Sequence, residues 1–409
     1  MKQISIEIIQ KCPNKCLHCS SLSSIECTLK IETDKVKEVI DAAKILDTQA
    51  LSISGGEPFE HDGLMSIVEY AKKRNLTVYV YTSGIVSGPD GNVDSLDINL
   101  LKKLHDSSVD KLIFDLPAID ETIYDTMMGT KGYQPLVLES IKNSVQVGIF
   151  TELHFVPTKI NISEIDSVIK FAKEQKVDRV SFIRLILHGR AIKNADRLQL
   201  SKAEEENLKI KLRSIMNDSI VRVGIPLQIE GKEHCYAGKG KLCVRYDGRV
   251  FGCESFKYKK FTDSEGVQIE PDSVYEKKLE EIYAGSEYLD CEMKFINSQA
   301  KGCGCHEKCP IQDYYAKRKE VSMNNSDIKK EVELWMEFYR AFNDDNEFRS
   351  INAFDRNRFE NAQQIHKDNI EWIQYGISRG LSQDEIIKIL PEAKAYMDEY
   401  DIMQRTGRI

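Results

Sequence analysis

Apolar runs short enough to be strands alternate, from Gln3 to about Leu187, with stretches whose apolar residues recur every three to four positions. The strand-like runs are Gln3 to Gln10, Ala50 to Ser54, Thr77 to Thr82, Lys111 to Leu116, Phe150 to Val156 and Arg179 to Leu187. Among the helical stretches, Asp34 to Ile45 places Val36, Val39, Ile40 and Ala43 on one face, and Ser163 to Gln175 reads as a helix with Ser163 as its N-cap. Strand-helix alternation of this kind builds a parallel sheet, and six units fall two short of a closed eight-stranded barrel.

The periodic pattern stops near Gly231. The run from Cys235 to Cys253, CYAGKGKLCVRYDGRVFGC, reads as a hairpin: Leu242, Val244 and Tyr246 alternate, Asp247-Gly248 is a turn signal, and Val250 with Phe251 begin the return strand. From Gln312 the chain reads as helical and charged, with Trp335, Phe338 and Tyr339 close on one helical wheel and Gly380-Leu381-Ser382 with Glu385 as a C-cap followed by a capping box. The expected division is residues 1–230 (barrel), 231–311 (a cysteine-rich module) and 312–409 (a helical extension).

Composition narrows the classes. A net charge of −8 and a pI near 5.7 argue against a nucleic-acid or anionic-membrane surface. The opening MKQISIEIIQ alternates like a strand rather than a signal peptide, and no later apolar run is long enough to span a bilayer, so a cytoplasmic location is expected. Eleven cysteines in a reducing compartment point to metal rather than disulfides.

Cys12, Cys16 and Cys19 are spaced CxxxCxxC, and the SGGEP run, Ser54 to Pro58, follows one strand-helix unit later. Three thiolates leave one iron of a 4Fe-4S cube free for another ligand. The residues alone also admit a structural zinc on Cys12, Cys16, Cys19 and His18. The two motifs together resemble the radical SAM enzymes, whose fold is a partial (β/α)6 TIM-like barrel and whose free iron is chelated by S-adenosylmethionine. Independently of that family, the unusual polar residues fall at strand carboxyl ends, where parallel barrels place their chemistry. The resemblance implies a cofactor site of Ser54, Gly55, Gly56, Glu57, Pro58, Thr82, Ser83, Asp115, His154 and Arg184, with His18 against adenine and Glu57 on the amino group. Asp115 reads equally as a cap for the helix after Ala118. Arg184 is followed by the HGRA segment, His188 to Ala191, which looks like a turn many members carry.

The second cysteine field resembles the SPASM and twitch extensions, to which Cys235, Gly248 and Cys253 fit. That resemblance implies one or two auxiliary iron-sulfur clusters: Cys235, Cys243, Cys253 and Cys309 around one, and Cys291, Cys303 and Cys305 at a second. A zinc site on Cys303, Cys305, His306 and Cys309 is the other reading. Cys27 is left as a plain thiol. The implied activity is reductive cleavage of S-adenosylmethionine and hydrogen abstraction, oxidatively modifying a ribosomally made peptide, or alternatively a small molecule such as a sugar or alcohol. A non-catalytic iron-sulfur or zinc interaction protein is the reading from another class. An external reductant of flavodoxin or ferredoxin type is implied. Because the chain begins almost at its first strand, leader recognition would fall to a separate protein or to the helical tail.

Overall fold

The structure, a computed structural model, describes residues 1–88, 92–224, 235–299, 309–311 and 382–383. The chain divides into two compact units, Met1–Ala316 and Lys317–Ile409. The residues expected to form the helical extension, with Trp335, Phe338 and Tyr339, lie outside the described residues apart from Ser382 and Gln383.

In chain order the elements are β1 (Gln3–Ile9), α1 (Thr33–Ile45), β2 (Ala50–Gly55), α2 (Leu64–Lys73), β3 (Thr77–Thr82), the small hairpin β4 (Ile85–Ser87) and β5 (Val93–Ser95), α3 (Ile98–Asp106) and β6 (Lys111–Asp115). Next come α4 (Glu121–Met128), α5 (Gln134–Val147), β7 (Thr151–Phe155), α6 (Ile165–Gln175), β8 (Arg179–Phe182), α7 (Arg190–Lys193), α8 (Ala195–Leu198), α9 (Lys202–Ile215) and β9 (Val221–Val223). The cysteine-rich segment adds β10 (Lys241–Val244), β11 (Val250–Phe251), β12 (Phe261–Thr262), β13 (Gln268–Ile269), α10 (Leu279–Gly285) and α11 (Glu287–Ser298).

The main sheet runs β11-β10-β1-β2-β3-β6-β7-β8-β9, parallel throughout except for the β10-β11 hairpin. Side chains alternate across it. Ile4, Ile6, Ile8, Leu51, Ile53, Val78, Val80, Leu112, Phe114, Leu153, Phe155, Val180 and Phe182 share one core with the helices. Their alternates, among them Ser5, Glu7, Ser52, Tyr81, Asp115, Glu152, His154 and Ser181, make the opposite, inner face polar. Polar side chains are costly there unless partnered. Glu152 accepts from Lys111 at 2.6 Å, Ser181 at 2.5 Å and His154 at 3.2 Å.

Three sequence expectations change and one holds. The strand from Arg179 stops at Phe182 rather than Leu187, because after Ile183 N–H donates to Phe155 O the chain leaves the sheet. Ser163 is not an N-cap. It sits inside a short turn, Ile162–Glu164, and α6 starts at Ile165, while Asn161 ties the loop by accepting from Thr158 and donating to Pro117 O and Val156 O. The helix after Ala118 is capped by Asp120, whose carboxylate accepts Ile123 N–H at 2.9 Å, which frees Asp115 for another partner. Finally, the hairpin from the cysteine-rich segment forms as read, with Gly248 at φ 80°, and its first strand extends the barrel sheet by pairing with β1.

Candidate active site

The loop between β1 and α1 carries Cys12, Cys16 and Cys19, and backbone bonds from three places hold it. Lys15 N–H donates to Met128 O at 3.0 Å and Leu17 N–H to Met127 O at 2.9 Å, at the end of α4. Arg190 reaches in from α7: its Nε donates to Cys16 O at 2.8 Å, its Nη2 to Ser23 O at 2.7 Å, and its backbone N–H to Cys19 O at 3.0 Å. Asn194 adds a bond to Leu17 O at 3.1 Å. Such close approach needs Gly189, at φ 58°, where a Cβ would lie 2.5 Å from Cys19 O. Burial pushes the Cys12 and Cys16 thiols well above their ordinary range. Glu57 adds to this at Cys12 and Cys19 at Cys16, and the Arg190 charge opposes it.

The GGE segment docks on the end of β1. Gly56 N–H donates to Ile9 O at 2.7 Å and Glu57 N–H to Lys11 O at 2.8 Å, and a Cβ on Gly56 would lie 2.1 Å from Lys11 O. Ser54 pairs with Glu7 across the two strands, and Pro58 opens a buried turn. Glu57 is wholly buried and turned toward β3. One carboxylate oxygen accepts from Thr82 Oγ1 at 2.8 Å and Phe59 N–H at 3.2 Å, and the other from Ser83 N–H at 2.7 Å and Ser83 Oγ at 2.5 Å. A carboxylate offers about four acceptor sites, so in this arrangement Glu57 is fully engaged in joining the mouths of β2 and β3.

Burial, against those hydrogen bonds, raises the Glu57 pKa from 4.5 to about 7. Between those values the folded protein binds the extra proton and the unfolded chain does not. The contribution is therefore complete below the ordinary carboxylate value and is lost as pH rises through 7, by roughly 3 kcal/mol in all. Denaturant titrations at about pH 5 and about pH 8 should show this fall in the wild type and its loss in Glu57→Gln; equal slopes in both proteins would refute it.

His18 Nε2 and Asp115 Oδ2 are 3.0 Å apart, so both sequence candidates come together across the mouth. Their other atoms, His18 Nδ1 and Asp115 Oδ1, are buried without a partner among the described residues, as are both amide atoms of Asn14 and the hydroxyl of Tyr124. Tyr124 is close enough to Cys16, Asp115 and Cys12 for their charges to raise its pKa beyond what burial alone does. His154 stands edge-on to Tyr81, with ring centroids 5.5 Å apart. Arg184 follows β8 on the strand-end side.

The second field gathers in part. Cys243 on β10 is completely buried, and Cys235, Cys253 and Cys309 line the same small core as Cys243, Phe251 and Tyr288. Burial raises the Cys253 thiol, with Cys309 and Cys235 adding to it. Cys291 lies on α11, where among the described residues Lys294, Glu287 and Asp290 act on it after burial. The next residue, Glu292, turns inward: it accepts Gly252 N–H at 2.6 Å, and its carboxyl acts on Cys235. Cys303, Cys305 and His306 lie outside the described residues. Among the described residues no group of three His, Cys, Asp or Glu side chains is arranged for a single metal ion. That bears on a mononuclear site, since the thiolates of a cube each take a different iron.

Residues 6–172 match the radical SAM superfamily. Over those residues the chain is similar to the radical SAM enzymes. It is 27% identical over 185 residues to Fe-coproporphyrin III synthase of Methanosarcina barkeri, covering 45% of this chain and 44% of that protein. It is 24% identical over 255 residues to PqqA peptide cyclase of Gluconobacter oxydans, covering 61% of this chain and 69% of that one. The chain thus spans less than half the length of the first relative and about two thirds of the second. Streptococcus suis SuiB bound to S-adenosylmethionine superposes with a TM-score of 0.58 at 16% identity, covering 75% of this chain and 70% of SuiB. SuiB has also been solved with its precursor peptide SuiA.

The residue that sequence reasoning missed is Arg190. The HGRA segment was visible as a motif, but only the fold shows that its guanidinium clamps the cysteine loop. No helix among the described residues is long and apolar enough to cross a membrane.

Proposed function

We propose that this chain is a radical SAM enzyme that abstracts a hydrogen from a ribosomally made peptide and modifies it oxidatively. The observation that carries this reading is the trio of clamped cysteines ringed by buried, unpartnered polar atoms of Asn14, His18, Asp115 and Tyr124. Buried polar groups ordinarily find partners, and a polar cofactor lying on a thiolate-held cube would supply them. Cys12, Cys16 and Cys19 would hold the 4Fe-4S cluster, and the iron's positive charge would ionise thiols that burial otherwise keeps protonated. When bound, the cluster and S-adenosylmethionine supply an electron and a breakable carbon–sulfur bond, the source of a 5'-deoxyadenosyl radical.

The chain's own residues then orient and enclose. Gly55 and Gly56 let the second strand approach the cysteine loop, Glu57 fixes Thr82 and Ser83 at the rim, and the pair His18 with Asp115 presents two open polar atoms. His154 and Arg184 complete the assigned cofactor site. The polar inner face would hold substrate away from bulk water, which a reactive carbon radical requires. Cys235, Cys243, Cys253 and Cys309 would hold one auxiliary cluster, an acceptor for the electron that an oxidative modification releases. Cys291, with Cys303 and Cys305, which lie outside the described residues, would be left for a second. The three-part division into barrel, auxiliary module and helical extension belongs to this proposal, as do an external flavodoxin-like or ferredoxin-like reductant and a separate peptide-recognition partner.

The peptide reading draws support from the relative named PqqA peptide cyclase and the SuiB–SuiA complex. The relative named Fe-coproporphyrin III synthase favours a second reading, a small-molecule substrate. Two measurements decide. Anaerobic reconstitution should give about eight irons per chain if one auxiliary cluster is present; about four would remove it and about twelve would add a second. Under strong reductant the protein should convert S-adenosylmethionine to 5'-deoxyadenosine and methionine, and a precursor peptide encoded nearby should change mass. Absence of both cleavage products would defeat the proposal.

A further inference from the structure

Between the two cysteine fields lies a buried ion pair that the reading above does not use. Lys257 Nζ donates to Glu7 Oε1 at 2.5 Å, to Ser21 Oγ at 3.1 Å and to Ser20 Oγ at 3.2 Å. Its side chain is 0% exposed and that of Glu7 is 4% exposed. Ser21 Oγ also donates to Glu7 Oε1 at 2.5 Å, while Glu7 Oε2 is buried without a partner among the described residues.

Each component belongs to a different field. Ser20 directly follows Cys19, and Tyr258 Oη closes on Ser20 O at 2.7 Å. Lys257 ends the short turn Glu254–Phe256 that follows Cys253. Glu7 lies on β1 two residues beyond Ser5, which is the register partner of Cys243 on β10, so Ser5, Glu7 and Cys243 face the same side. The ammonium acts on both Cys243 and Cys19. The other nearby acid, Glu254, is paired with Lys241 at 2.8 Å.

A joint that only held two loops together would be made as well by apolar side chains, since desolvating two charges costs about as much as their attraction returns. A buried positive charge beside two redox sites, by contrast, stabilises an added electron at both, because little solvent screens it. We propose that Lys257, balanced by Glu7, is a shared counter-charge that sets the reduction potentials of the barrel and auxiliary clusters together. It is a positioning residue: its ammonium is engaged by Glu7, Ser20 and Ser21, and it acts through the field at both sites. The inference rests on reading both cysteine fields as iron-sulfur sites.

The test is a potentiometric titration of the reconstituted full chain, followed by electron paramagnetic resonance. Lys257→Met should move both midpoints to more negative potential by about a factor of ten in the reduction equilibrium, about 59 mV for one electron. Glu7→Gln, which leaves the lysine unopposed, should move both the other way. The double variant, with neither charge, should lie near wild type, and Glu7→Gln carries the test if Lys257→Met alone fails to fold. Midpoints that stay in place in folded Lys257→Met or Glu7→Gln, or that shift at one cluster only, would overturn the proposal. Wild-type iron content and S-adenosylmethionine cleavage separate that outcome from failure of the cluster reading itself: a wild type lacking the auxiliary iron would overturn both.

Discussion

Cys16→Ala, and equally Cys12→Ala or Cys19→Ala, is expected to reduce formation of 5'-deoxyadenosine to background under strong reductant. Each substitution removes one of the three thiols of the strand-end loop, and no described side chain stands ready to replace it: His18 is turned to Asp115 and the Arg190 guanidinium is spent on backbone carbonyls. The loss should appear as iron as well as activity, because a cube with two protein ligands is poorly retained. Cys27→Ala is the control. Its sulfur lies 3.4 Å from Ser24 Oγ and 3.8 Å from Leu22 O, and cleavage should stay near wild type. Wild-type product yield from any of the first three variants would remove the basis of the proposed chemistry.

Arg190→Met should be nearly as damaging for a different reason. The guanidinium makes two charge-assisted bonds to carbonyls of the cysteine loop, and deleting them at a partly buried site costs roughly 3–6 kcal/mol of local order at about 1.5–3 each. Helical content by circular dichroism should remain close to wild type, since the barrel core of Ile4, Leu51, Val78 and Phe114 is untouched. Iron retention should fall at least tenfold on challenge with a chelator. Arg190→Lys should recover only part of it, because an ammonium keeps the charge without the planar fork that reaches Cys16 O and Ser23 O together. Undiminished iron retention in Arg190→Met would show that the α4 and Asn194 bonds hold the loop alone.

The barrel was legible because its signal is local. Period-two and period-three-to-four patterns mark which residues face the helices, and all six strands lie where those patterns put them, with the last shortened. Ser163 was misread because a side chain suited to capping is only a local preference. Here Asn161 and Glu164 anchor the turn through bonds to Thr158, Pro117 and the backbone of Ile119 and Asp120. Glu292 shows the same limit on a helix: its position in the sequence does not say which way it faces, and packing turns it to Gly252 N–H beside Cys235.

By itself the sequence determined the alternation of strands and helices, the three thiols at a strand end, the glycine pair beside them and the hairpin at Asp247-Gly248. All of these are encoded within a few residues of one another, where backbone stereochemistry and side-chain periodicity act. Tertiary structure alone decided that Arg190 clamps the cysteine loop, that Glu57 turns to Thr82 and Ser83, that β10 joins β1, and that Lys257 meets Glu7. Those partners are far apart along the chain. What selects them is the cost of leaving a buried charge or hydrogen-bonding group unpaired once the sheet has closed around it.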